Sequence, residues 1–118
     1  MTDEKLCTRY LRAAAKLVRT VGLARGARRD YKGAVCMLGA LDHCGISITY
    51  DVRKSIEAHL VSILPSRPEG EAGYDKYNNS YVGDRVDQPG SHIAWYSNMI
   101  AKDANEVAEK LELAAESC

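Results

Sequence analysis

Lys5, Arg9, Arg12, Lys16 and Arg19 recur at spacings of four, three, four and three. At about 100° per residue they share an arc of about 80° around a helix axis. Leu6, Tyr10, Ala13, Ala14, Leu17 and Val21 share a second arc of about 100°, nearly opposite the first. Two opposed arcs of this kind describe a helix with one face in a core and the other in water. The pattern predicts a helix over residues 3–21, with Thr2 as its N-cap and Asp3 and Glu4 at the positive end of its dipole. Gly22 supplies the stop.

Helical periods continue along the chain. Residues 34–44, AVCMLGALDHC, read as a mostly buried helix in which Gly39 lets a neighbour approach, with Gly45 as the stop. A buried strand competes over Ala34–Leu38, but the apolar run continues to Leu41. Thr49 caps a predicted helix over 50–64, whose apolar face is Val52, Ile56, Leu60, Ile63 and Leu64 and whose end is set by Pro65. Residues 93–101 form a short apolar segment around Trp95. Asp103 and Glu106 make a capping-box variant at the head of a last helix over 104–116. Its inner face is Ala104, Val107, Ala108, Leu111 and Ala114, while Glu109, Glu112 and Glu116 point elsewhere. Residues 22–33, GLARGARRDYKG, suit a short hairpin or an irregular loop. Residues 65–92 hold all three prolines and break every pattern, which predicts a long irregular loop, with Asn78-Asn79 able to turn a small hairpin.

The fold expected is therefore mainly α: one domain over residues 1–118, about four helices and one long loop at 65–92. Its core should contain Leu6, Leu17, Val35, Leu38, Leu41, Ile56, Leu60, Val107 and Leu111. A chain of 118 residues suits a single core. No stretch reaches the roughly 20 apolar residues of a membrane span, and the charged start lacks the apolar run of a secretory signal. The expectation is a cytoplasmic protein with no membrane contact. In a reducing compartment its four cysteines, Cys7, Cys36, Cys44 and Cys118, should be thiols, with Cys118 exposed and prone to adventitious intermolecular pairing. Cys36, His43 and Cys44 lie on neighbouring helical turns and offer three metal ligands, but Cys36 and Cys44 suit small core positions on an apolar helix face better, with His43 at its edge. No metal or cofactor is expected.

Two blocks carry a resemblance. Gly22, Gly26, Asp30 and Gly33 lead into Val35-Cys36-Met37-Leu38-Gly39-Ala40-Leu41, and Tyr96-Ser97-Asn98 stands before Asp103, Glu106 and a final Leu-Ala-Ala helix. Together they resemble a family of small actinobacterial and actinophage proteins of unassigned activity. Its members show a G-x-C-L-x-G-A block and a Trp-Asn-Asp block before a capped last helix. This chain departs from the second block, with Trp95 one position earlier and no acid at the matching place. The resemblance implies a helical fold, an actinobacterial or phage origin and, by analogy with other small phage proteins, action by binding a host protein.

Catalytic signatures are missing from the sequence: there is no G-x-S-x-G, H-E-x-x-H, P-loop or G-x-G-x-x-G, and His43, His59 and His92 are scattered. Charge is the more informative feature. Residues 1–33 carry nine of the 16 Lys+Arg and three of the 16 Asp+Glu, so a formally neutral chain is divided into a basic start and an acidic remainder. The expectation is a non-enzymatic interaction protein that binds an acidic surface of another protein, of unknown identity, with a homodimer as a subsidiary case. The expected contacts are Arg9, Arg12, Lys16, Arg19, Arg28 and Arg29, with Tyr74, Tyr77 and Tyr81 offering aromatic contact area from the long loop. A nucleic-acid-binding module built on the basic helix is the first alternative, weakened by a pI near 6.8 and the lack of aromatics among the cations. A cryptic thiol or metal enzyme, using Cys36 with a distant histidine, is the second.

Overall fold

In the computed structural model, residues 5–67 and 89–118 are described. Helix α1 spans Leu6–Val21, α2 Met37–His43, α3 Tyr50–Ile63, α4 Pro89–Trp95 and α5 Ala104–Glu116, with a π-helical turn at Tyr96–Ile100 running on from α4. The fold is mainly α, with one more helix than the sequence suggested. The extra helix is α4, which takes in Pro89–His92 from the end of the expected loop and joins them to the apolar segment. Proline suits that place, because the first turn of a helix needs no donor from it. Thr2, Asp3 and Glu4 lie outside the described residues, and Lys5 occupies the N-cap position of α1.

Caps and stops account for most boundaries. Thr49 Oγ1 accepts from Val52 N at 3.3 Å and Asp103 Oδ1 from Glu106 N at 2.9 Å, so α3 and α5 begin where expected. Gly22 adopts φ +93° and its N–H returns to Val18 O at 2.9 Å, which ends α1. Helix α2 is shorter than expected because Val35 is extended and bridges Leu23 in parallel and Arg29 antiparallel. The 22–35 segment is thus an irregular loop pinned by two isolated bridges.

Helix α1 packs antiparallel along α5, its far end held by Arg19 Nε to Asn105 Oδ1 at 3.1 Å and its near end by Thr8 Oγ1 to Ala115 O at 3.3 Å. Ala14, Ala15, Ala108, Ala114 and Ala115 are buried, and such small side chains let the two helices approach closely. Helix α2 packs on α1, and α4 links α2 to α3. Of the expected core, Val35, Leu38, Leu41, Ile56, Leu60, Val107 and Leu111 are buried. Leu6 is not: it is 38% exposed, and Leu17 is only partly buried. In their place stand Leu11, Ala15 and Val18, fully buried. The inner face of α1 is thus turned by about 80° from the expected arc, because α5 claims the Ala15 side that the sequence pattern left unassigned.

Candidate partner-binding face

The fold itself consumes several of the cations. Arg25 forks into the end of the π-helical turn: Nη1 donates to Ser97 O at 3.1 Å and Asn98 O at 3.2 Å, and Nη2 to Ala101 O at 2.7 Å and Lys102 O at 3.2 Å. Those carbonyls lie at a helix end, where backbone acceptors lack helical partners. Arg28 pairs with Asp42 at 2.9 Å. Arg19 makes a bidentate pair with Glu112 of α5, and both side chains are substantially exposed. Arg29 is exposed on the loop.

Three further cations form a ridge on α1. Arg9, Arg12 and Lys16 are exposed on one face of α1, and Arg9 and Lys16 make no side-chain hydrogen bond or ion pair among the described residues. Glu109 and Glu116 form a parallel acidic ridge on α5, with Glu112 between them. The Arg19–Glu112 pair sits across the seam that separates the ridges. Beyond the acidic ridge, Tyr96, Ile100, Glu106, Glu109 and Leu113 line an open groove of about 600 Å³. Tyr96 donates to Glu106 Oε2 at 3.0 Å, and burial together with that carboxylate pushes its phenol well above the ordinary range. Tyr74, Tyr77 and Tyr81 lie outside the described residues, as does the small hairpin expected beside them.

A polar network that the sequence reading missed sits on the other side of α1. Arg53 donates to Glu57 Oε2 at 2.6 Å, to Asp42 Oδ1 at 2.9 Å and to Tyr10 Oη at 3.4 Å, while Tyr10 donates to Leu41 O. Glu57 is 3% exposed and also takes Lys54 at 3.3 Å. Burial raises the Asp42 carboxyl, but the bonds and charges of Arg28 and Arg53 outweigh it and hold the group below its usual range. Burial pushes the Tyr10 phenol up to about 12, against the opposing charge of Arg53. The signal available in sequence was the spacing of Arg53 and Lys54 to Glu57, which places all three on neighbouring turns of one helix.

The cysteines are arranged differently from expectation. Cys7 and Cys118 form a disulfide, so neither is a thiol and Cys118 is bonded within the chain. They lie far apart in sequence but meet because α1 and α5 run antiparallel. Cys36 is fully buried at the N-cap of α2, where Sγ accepts from Gly39 N at 3.4 Å. His43 is exposed at the other end of that helix, and no three metal-ligating side chains gather among the described residues. His59 Nε2 lies 2.9 Å from Ala114 O and 3.1 Å from Ser117 Oγ, and His92 Nε2 lies 2.8 Å from Pro65 O.

Both distinctive blocks of the sequence prove to be one joint. Ser97 Oγ accepts from Met37 N at 2.9 Å and Asn98 Oδ1 from Gly26 N at 3.0 Å, so the π-helical turn docks on the loop and on the start of α2. Residues 4–117 match a family of unknown function, DUF6197. The chain belongs to that family. No curated protein and no solved structure matches it. In this chain Cys36, Gly39, Trp95, Ser97 and Asn98 of the two blocks are all buried. No helix among the described residues is long and apolar enough to cross a membrane.

Proposed function

We propose that the chain is a small non-enzymatic interaction protein that binds an acidic protein surface through Arg9, Arg12 and Lys16. One observation carries the reading. The fold takes Arg19, Arg25 and Arg28 into its own contacts, while Arg9 and Lys16 stand exposed on one α1 face with no side-chain hydrogen bond or ion pair among the described residues, and Arg12 is exposed between them. Like charges at helical spacings of three and four repel by a few tenths of a kcal/mol each, so a ridge of this kind costs stability without a partner. A pI near 6.8 and the lack of aromatic side chains among the cations favour a protein partner over nucleic acid. The compartment proposed is the cytoplasm, of the host cell if the chain is phage-encoded, where Cys7 and Cys118 would be held reduced and the bond between them would form only under oxidising conditions. Buried Cys36, used as a helix cap, does not favour thiol catalysis.

Affinity capture from a cell lysate, with and without nuclease, tests this. The folded wild type should retain a protein that survives nuclease treatment, and the variant Arg9→Glu/Arg12→Glu/Lys16→Glu should retain none. Loss of the captured material on nuclease treatment, or unchanged capture by the variant, refutes it.

A further inference from the structure

The two ridges on the outer surface of α1 and α5 are complementary in sign and also in height along the helices. Thr8 reaches Ala115 and Arg19 reaches Asn105, so in the antiparallel pair a residue on α1 lies level with the residue on α5 whose number brings their total near 124. Arg9, Arg12 and Lys16 therefore stand level with Glu116, Glu112 and Glu109, to within about one residue or about 1.5 Å of rise. Both ridges flank the seam marked by the exposed Arg19–Glu112 pair, so both face the same way.

We infer that this face is a homodimer interface, in which the basic ridge of each copy lies on the acidic ridge of the other. A twofold axis running along the α1–α5 seam preserves height along the helices while exchanging left for right. It lays α1 of one protomer over α5 of its partner and α5 over the partner's α1. Each helix meets the opposing ridge at its own level, and every contact occurs twice, as an isologous interface requires. Two features make a second copy the fitting occupant. Both halves of the complementary surface are present on one chain, in matching register. The chain is formally neutral, so two copies approach without net repulsion. The outer groups of each ridge are also available: among the described residues Glu116 has no ion pair, Glu109 takes only the Asn105 amide at 3.1 Å, and Arg9 and Lys16 have none, whereas Glu112 at the middle already holds Arg19. This inference rests on α1 being a protein-contact surface and names the acidic partner as α5 of a second copy.

Light-scattering mass of the purified chain at roughly 100 µM, above the micromolar range of weak interfaces, gives the test. In about 0.01 M salt the wild type should weigh twice the 13.0 kDa chain, and in about 1 M salt, where screening falls to about 3 Å, it should weigh one chain. Arg9→Glu/Arg12→Glu/Lys16→Glu and Glu109→Lys/Glu116→Lys should each be monomeric at low salt, since each sets like ridges against one another. An equimolar mixture of the two should recover the dimer mass, because the opposite-sign faces then meet across the pair. That recovery also shows that both variants are folded. A wild type that is monomeric in low salt overturns the inference, as does a dimer that persists in either variant or a mixture that stays monomeric. A monomer whose ridge still captures a lysate protein overturns the dimer alone and leaves the proposed function standing.

Discussion

Gly39 shows how a single residue holds the loop against the core. A Cβ placed there would lie 1.6 Å from the Arg28 carbonyl oxygen, a backbone atom that cannot swing aside. The absence of a side chain lets the 22–35 loop lie directly on α2, where Cys36 N also donates to Arg28 O at 3.3 Å. Gly39→Ala should cost about 3 kcal/mol or more, since the clash cannot relax by rotamer change; a chemical denaturation midpoint close to wild type would show that the loop is not fixed there. Tyr10 offers a second residue-level expectation. Its folded-state pKa of about 12 lies above the ordinary value of 10.0, so its contribution to stability is complete below pH 10 and is lost as pH rises through 12. Phenolate absorbance should show Tyr10 and Tyr96 ionising only as the helical signal is lost. Ionisation of all seven tyrosines near pH 10 with the fold intact would contradict their burial.

At the scale of elements, α3 and α5 were legible because their caps, Thr49 and Asp103, are written next to the apolar periods they start. Helix α4 and the π-helical turn were not, because nothing local announces them. Their polar groups are satisfied from 60 or more residues away, by Met37 N, Gly26 N and the Arg25 guanidinium. The face of α1 was half legible: the charged arc is exposed as expected, yet the apolar arc is too wide to say which part meets α5. Of the candidate site, the ridge could be read from spacing alone, whereas the removal of Arg19, Arg25 and Arg28 into internal contacts depends on tertiary neighbours. Arg25→Lys should destabilise the chain by about 2 kcal/mol despite keeping the charge, because an ammonium cannot fork to four carbonyls. A melting temperature equal to wild type would mean that the turn holds without that cap.

For the whole molecule, the Cys7–Cys118 bond closes nearly the full chain into one loop. Long loops gain most from closure, so Cys7→Ser should cost about 2–4 kcal/mol under oxidising conditions and nothing measurable in excess reductant. Equal unfolding midpoints in both conditions would show that packing of α1 on α5 already holds the ends. The two helices joined by this clasp also carry the basic and acidic ridges, so the element that organises the fold presents the charges that the proposed function uses. Division of labour among the cations is the central claim, and the salt dependence of capture measures it most directly. Exposed charges are screened over about 10 Å in 0.1 M salt and about 3 Å in 1 M, so capture by the wild type should fall steeply across that range and be absent throughout for Arg9→Glu/Arg12→Glu/Lys16→Glu. Capture that is equally strong at both ends of the range, and survives the reversal, would contradict the account.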